Sequence, residues 1–142
     1  MEEFLEQFNE NKSELNMKIT SPLALAYIGD AVYEVYIRKM LTENPQLSVD
    51  KLHKKAITYV RAKAQADIVL RLEEELTTEE WSIVKKGRNQ KSKTVPKNSD
   101  VGDYRYATGF EALIGFLFCM KRYQRLMEVM KRAVEIIEEE EK

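Results

Sequence analysis

The sequence predicts an all-α protein that folds as one domain. Apolar residues recur at helical spacing along most of the chain, for example at Leu52, Ala56 and Tyr59. The 142 residues include only 5 glycines and 3 prolines, so few positions interrupt a helix. Serine and threonine precede several of the apolar segments, where they are favoured as helix caps. A chain of this length can bury a sizeable core without disulfides.

The first clearly delimited helix is predicted to begin at Ser21 and Pro22, because serine is a preferred N-cap and proline fits the first helical position. It runs to about Leu41 and stops at the turn formed by Asn44 and Pro45. Its residues are apolar nearly all round. We therefore expect one side of this helix to pack on its own core and the other side to pack on a second subunit.

A second helical region is predicted over residues 49–76, with a break near Arg61. The spacing from Thr77 to Glu80 matches a capping box, which predicts a short helix through Lys85.

Residues 87–103 contain Gly, Asn, Ser, Pro and several lysines without apolar periodicity, so a long loop is predicted there. Two final helices are predicted over residues 104–120 and 123–139. We expect a single domain over residues 1–142, with its core over about 20–139.

The composition excludes several classes of protein. Cys119 is the single cysteine, so no internal disulfide can form, and the absence of a Cys or His cluster argues against structural zinc. The apolar runs are shorter than the ~20 residues of a membrane-spanning helix. The acidic N-terminus does not match a secretory signal. We expect a cytoplasmic protein with no membrane partner.

The net charge of −1 conceals a segregation of charge along the chain. The last residues are mainly glutamates, whereas no acidic residue interrupts the basic stretch between 85 and 97. A polyanion responds to such local charge rather than to the overall balance, although a charged run is more often a solvated face. The basic residues of the stretch are Lys85, Lys86, Arg88, Lys91, Lys93 and Lys97.

Asp30 and Glu111 each stand alone in an almost wholly apolar stretch, at 23–33 and 110–118. A buried carboxylate costs several kcal/mol unless a cation or hydrogen-bond donors compensate it. If the two stretches pack together, the two acids would face each other across one pocket. Like charges at that distance require a cation, and a divalent metal ion is the natural one.

Each acid also has a simpler interpretation. Asp30 would equally suit an ion pair with a lysine or arginine, or a partly wet face. Glu111 lies three residues after Thr108, the spacing of a capping box, in which it would have a structural role.

Gly29, beside Asp30, costs a helix interior ~1 kcal/mol relative to alanine, which suggests a close approach by another element. The one histidine, His53, is expected to contact solvent or an anion.

At these two stretches the chain resembles a known family. Residues 26–34 (Ala-Tyr-Ile-Gly-Asp-Ala-Val-Tyr-Glu) resemble the signature helix of ribonuclease III catalytic domains, and residues 110–115 (Phe-Glu-Ala-Leu-Ile-Gly) are similar to the second acidic motif of that family. The resemblance is closest to the short bacterial branch, Mini-ribonuclease III, and rests on residues 59–67, 86–89 and 104–111. It implies an all-α, ribonuclease III-like endonuclease domain in a homodimeric helical bundle.

The resemblance implies that Asp30 and Glu111 are catalytic residues that bind Mg²⁺. Two further acids usual in ribonuclease III are replaced here by Ala26 and Thr108, as is typical of the short branch. The double-stranded-RNA-binding domain that usually follows is expected to be missing, so RNA contacts fall to the basic residues. The expected contacts are Lys85, Lys86, Arg88, Asn89, Lys91, Lys93, Lys97, Lys54, Arg61 and Lys63.

The function implied is Mg²⁺-dependent cleavage of double-stranded RNA, giving 5′-phosphate products, in the maturation of the large-subunit (23S) ribosomal RNA precursor, with or without help from a ribosomal protein. A first alternative is a non-catalytic RNA-binding scaffold whose acidic site is depleted. A second alternative is a helical interaction protein in which the acidic tail pairs with the basic stretch. Neither alternative explains why both Asp30 and Glu111 are present.

Overall fold

A computed structural model describes residues 2–9, 20–90 and 100–141. These residues form seven α-helices and one 3₁₀ turn and contain no strand, which confirms the all-α prediction. None of the described helices is both long enough and apolar enough to cross a membrane. The helices are α1 (Glu2–Asn9), α2 (Pro22–Thr42), α3 (Val49–Val60), α4 (Ala62–Leu72), α5 (Thr78–Arg88), α6 (Val101–Cys119) and α7 (Tyr123–Glu140), with the 3₁₀ turn Glu73–Glu75 before α5.

The predicted start of α2 is confirmed by its capping hydrogen bonds. The Ser21 hydroxyl accepts hydrogen bonds from the backbone N–H groups of Leu23 at 3.1 Å and Ala24 at 3.3 Å. Pro22 occupies the first turn, where its missing N–H costs nothing. The helix ends at Thr42, one residue beyond the predicted end.

The predicted break near Arg61 is also confirmed. Arg61 is extended, with ψ at 156°, and it separates α3 from α4. The Thr77 capping box is present in both directions: the Thr77 N–H donates to Glu80 Oε1 at 2.9 Å, and the Glu80 N–H donates to Thr77 Oγ1 at 3.1 Å. Two reciprocal bonds of this kind satisfy donors that a helix start otherwise leaves free.

The prediction of a loop over residues 87–103 is wrong at both ends. Helix α5 continues to Arg88, and α6 begins at Val101 with Asp100 as its N-cap. The Asp100 carboxylate accepts a hydrogen bond from the Asp103 N–H at 3.0 Å. Residues 91–99 lie outside the described part of the chain.

Helix α6 is the centre of the fold and packs against α2, α4 and α5. It is buried almost continuously from Ala107 to Cys119, and Phe110 is fully buried. The Tyr33 ring from α2 packs edge-on against the Phe110 ring with 5.0 Å between centroids, and the Tyr33 hydroxyl donates to the Tyr59 carbonyl at 3.1 Å. One helix thus joins most of the core.

The contact between α2 and α6 is made by backbone at two glycines. A Cβ atom at Gly29 would overlap the Glu111 carbonyl oxygen and would lie 2.7 Å from the Gly115 nitrogen. A Cβ atom at Gly115 would in turn overlap the Leu25 carbonyl oxygen. No larger residue fits at either position unless the helices move apart. This crossing confirms the prediction that Gly29 allows another element to approach closely.

Helix α7 is held to the rest of the molecule by arginines. Arg125 binds Glu80 at 2.8 Å, and Arg132 binds Glu75 at 3.1 Å. Burial by itself raises the pKa of Glu80, but hydrogen bonds from Arg125 and the Thr77 N–H outweigh it and hold that pKa below its usual range. Glu80 is 3% exposed and fully partnered, so its role is structural.

Gly29→Ala is expected to destabilise the protein by at least about 2 kcal/mol, because the added methyl group forces apart two backbones in contact. The free energy of unfolding in urea measures the effect. Gly102→Ala is the matched control: Gly102 is exposed in the first turn of α6, and its Cβ would meet only the Asp100 side chain, at 3.1 Å. An unchanged stability of Gly29→Ala would contradict the packing described for this crossing.

Candidate active site

The crossing of α2 and α6 brings Asp30 and Glu111 together. Asp30 follows the glycine that contacts the Glu111 backbone, so the two side chains start from adjacent points of the two helices. The carboxyl groups are within hydrogen-bonding reach of each other. Asp30 is exposed, whereas Glu111 is partly buried.

The environment of Glu111 disfavours its negative charge. Burial raises the pKa of Glu111 most, the charge of Asp30 and a hydrogen bond with Asp30 raise it further, and Glu34 adds a smaller increase. A hydrogen bond from Gln65 lowers the pKa in part. The result is a pKa of about 8, so at neutral pH Glu111 keeps a proton in the absence of a metal ion. The same site therefore favours a cation that can replace this proton.

The structural alternative for Glu111 is wrong. Thr108 lies inside α6, where its hydroxyl donates to the Tyr104 carbonyl at 3.0 Å, so no helix begins there. For Asp30, the ion pairs of the described residues include no lysine or arginine partner. Its exposure agrees with the alternative of a wet face, which leaves the side chain open to a ligand from solvent.

The site contains a glutamine that the sequence did not reveal. Gln65 of α4 is 2% exposed and lies against Glu111. Its one sequence signal is a polar residue between Ala64 and Ala66, on a helix face that is otherwise apolar. Glu34 lies one turn beyond Asp30 and pairs with Arg38 at 3.5 Å.

The donor atoms suit a hard divalent cation. The side chains at the site offer carboxylate and amide oxygens, which Mg²⁺ and Ca²⁺ prefer. No group of three His, Cys, Asp or Glu residues arranged to hold a metal occurs within residues 2–9, 20–90 and 100–141. Protein ligands are therefore few, and Mg²⁺ readily keeps several waters under such conditions. The residues present fit a hydrated Mg²⁺ ion.

The basic residues of the 85–97 stretch are only partly described. Lys85 and Lys86 are exposed on α5. Arg88 lies over the Tyr106 ring at 5.6 Å and donates to the Asn89 side chain at 3.0 Å. The remaining three residues, Lys91, Lys93 and Lys97, lie outside the described part of the chain.

Helix α5 packs on α6 around Gly109. A Cβ atom at Gly109 would lie 2.6 Å from the Val84 carbonyl, so Gly109 faces α5. A Cβ atom at Gly87 would in turn lie 3.0 Å from the Thr108 carbonyl and from the Ala112 Cβ atom. Lys85 and Lys86 lie on α5 just before this contact.

A second basic group lies nearer to α4. Lys54, Arg61 and Lys63 are all exposed, and Lys63 pairs with Asp67 at 3.7 Å. Arg61 and Lys63 line a pocket of about 180 Å³ together with residues 140 and 141, the glutamates that end α7. Glu140 and Glu141 thus lie beside Arg61 and Lys63.

A wide apolar groove follows the outer face of α2. The groove has a volume of about 850 Å³, and Asp30 lies on its rim. Tyr27 is 84% exposed and Val35 is 68% exposed on this face. The groove is also lined by Leu5, Phe8, Phe118, Tyr123, Leu126 and Met127.

The sequence and the fold were compared with those of known proteins. Residues 23–122 match the family model described as "Ribonuclease III domain". A protein of Thermoanaerobacter sp. named "Mini-ribonuclease 3" is 50% identical over 119 residues, which cover 84% of each chain. The protein of the same name from Staphylococcus aureus is 40% identical over 132 residues, covering 92% of this chain and 98% of that one. The crystal structure of a protein from Fusobacterium nucleatum matches with a TM-score of 0.77 and 29% identity, covering 84% of this chain and 96% of the other.

Glu111→Gln is expected to stabilise the protein in the absence of divalent ions, and more so at alkaline pH. Folding raises the pKa of Glu111 to about 8, so this group contributes stability that is complete below its unfolded pKa and is lost as pH rises through the folded pKa. Glutamine does not titrate. The gain in unfolding temperature should therefore grow from about pH 5 to about pH 8, level off above that, and reach about 3–6 °C.

The measurement is thermal unfolding in a chelating buffer, followed by circular dichroism. Glu74→Gln is the control, since Glu74 is exposed on the 3₁₀ turn. If the unfolding temperatures of the Glu111→Gln variant and the parent protein depend on pH in the same way, Glu111 does not have the raised pKa described here.

Proposed function

This chain belongs to the ribonuclease III family, in its Mini-ribonuclease 3 branch, and on that premise we propose that it is a Mg²⁺-dependent endoribonuclease that cleaves double-stranded RNA. The observation that carries the proposal is the contact between Asp30 and Glu111, two carboxyl groups placed against each other at a glycine crossing. Such a pair has little structural value, because like charges destabilise the fold. Its value lies in binding a cation at the edge of an open groove.

Asp30 and Glu111 would hold the Mg²⁺ ion. When bound, the ion supplies activation of a water molecule and stabilisation of the charge that develops on the phosphate. Glu111 has to release the proton that its raised pKa favours, so binding of the ion becomes easier as pH rises. Asp30, which is exposed, faces the side from which a phosphodiester can approach. Hydrolysis breaks the bond between phosphorus and the 3′ oxygen, leaving a 5′-phosphate and a 3′-hydroxyl.

The enzyme is proposed to act as a homodimer through the groove along α2. Residues such as Tyr27 and Val35 expose a continuous apolar face there, and such faces on soluble proteins mark interaction sites. Asp30 on the rim would bring each site close to the partner subunit. Two sites related by a two-fold axis would each cut one strand of the duplex.

The RNA is proposed to be read mainly through its phosphates and its A-form shape. Lys85 and Lys86 are exposed and have no ion pair within the described residues, so they are available to bind phosphates. We assign the same role to Arg88, Asn89, Lys54, Arg61 and Lys63, and to Lys91, Lys93 and Lys97. The expected substrate is the precursor of large-subunit (23S) ribosomal RNA, in the cytoplasm, with a ribosomal protein as a candidate helper.

Asp30→Asn is expected to reduce cleavage of a long RNA duplex by at least about a hundredfold while the fold is retained, because one of two metal-binding carboxylates is lost. Asp50→Asn, an exposed aspartate in the first turn of α3, is the control and should cut normally. Gel analysis of the products with Mg²⁺ or with a chelator gives the rates. Cleavage by Asp30→Asn at the parental rate would rule out the assignment, and duplex binding without any cleavage by the parent protein would favour the scaffold alternative.

Replacing Lys85 and Lys86 with glutamine is expected to weaken duplex binding and to flatten its salt dependence. Each lost phosphate contact should reduce the slope of log K against log salt concentration by roughly one. Filter binding or anisotropy at several salt concentrations measures this, with a chelator present to prevent cleavage. Lys131→Gln, on the exposed face of α7, is the control. An unchanged slope in the double variant would show that α5 does not contact the RNA.

A further inference from the structure

Gln65 is the polar side chain that the proposed reaction leaves unused, and it lies at the centre of the candidate site. It is 2% exposed, and its amide hydrogen-bonds the Glu111 carboxyl group. Its Oε1 atom is fully buried and accepts no hydrogen bond from any described residue. Buried polar atoms are almost always partnered, so an unpartnered one beside two carboxylates needs an explanation.

The orientation of the Gln65 amide is fixed by its other end. Nε2 donates to the Val60 carbonyl oxygen at 2.7 Å, at the break between α3 and α4. A flipped amide would place Oε1 against that carbonyl, and two acceptors would then face each other. The amide is therefore held with Nε2 towards Val60, which leaves Oε1 as a buried acceptor on a side chain that contacts Glu111. The backbone break at Arg61 makes the Val60 carbonyl available as the anchor.

A neutral oxygen has an advantage at this position. Asp30, Glu34 and Glu111 already raise the local negative charge, as the raised pKa of Glu111 shows. A further carboxylate would increase the repulsion, whereas an amide adds an oxygen without adding charge.

We propose that Gln65 is a positioning residue of the metal site, where its Nε2 orients Glu111 and its Oε1 accepts a hydrogen bond from the hydrated Mg²⁺ ion. This inference rests on the proposed function, because it requires the ion to bind at Asp30 and Glu111. Loss of a hydrogen bond to a group that holds the metal ion typically lowers metal affinity by about 10–100-fold.

The test is the affinity of the whole protein for Mg²⁺ alone, measured by isothermal titration calorimetry without RNA. Gln65→Leu keeps the size of the side chain and removes both polar atoms. The matched control is Gln90→Leu, since the Gln90 amide also donates to a helix carbonyl, that of Lys86 at 3.2 Å.

The proposal predicts that Gln65→Leu binds Mg²⁺ at least about tenfold more weakly, while Gln90→Leu stays within about threefold of the parent protein. Parental affinity in Gln65→Leu would overturn the proposal. An equal loss in Gln65→Leu and Gln90→Leu would also overturn it, because the loss would then not depend on the metal site. If Gln65→Leu does not fold, Gln65→Met, which is apolar and unbranched like the glutamine chain, takes its place.

Asp30→Asn separates failure of this inference from failure of the proposed function. If Asp30→Asn loses Mg²⁺ affinity and Gln65→Leu does not, the metal site stands and only the role of Gln65 is wrong. If Asp30→Asn binds Mg²⁺ as the parent protein does, the site itself is misplaced and the inference falls with it.

Discussion

The backbone contact between α2 and α6 is the constraint on which the rest of the site depends. Gly29 and Gly115 let the two helices approach until backbone meets backbone, and no side chain separates them. Asp30 and Glu111 stand next to this contact, so the approach that gives the core its density also brings two acids together. The fold thus creates an electrostatic cost at the point where its packing is tightest.

Glu80, which is buried, and Glu111, which is partly buried, show how the environment sets the role of a glutamate. Glu80 is bound by Arg125 and the Thr77 N–H, which hold its pKa low and make it part of the scaffold. Glu111 has another carboxylate and a neutral amide as its neighbours, and its pKa rises to about 8. The same side chain is satisfied in one place and short of a cation in the other. Perturbed ionisation of this kind, beside an open groove, is typical of functional sites.

The sequence predicted the parts of the fold that local chemistry controls. The caps at Ser21 and Thr77 and the break near Arg61 depend on neighbouring residues, and all three were found as predicted. The loop over residues 87–103 was predicted too long, because α5 is extended by its packing on Gly109, which no local pattern shows. The Asp100 cap was also missed, and with it the true start of α6.

The candidate site was predictable only in part for the same reason. Asp30 and Glu111 stand out in the sequence because carboxylates are rare in apolar stretches. Gln65 does not stand out, since its importance comes from tertiary contacts with Val60 and Glu111. The most direct measurement is a crystal structure of the protein grown with Mn²⁺, using its anomalous scattering to locate the ion. The account predicts a peak in contact with both Asp30 and Glu111; a well-ordered site with no peak there, or a peak elsewhere in the molecule, would contradict it.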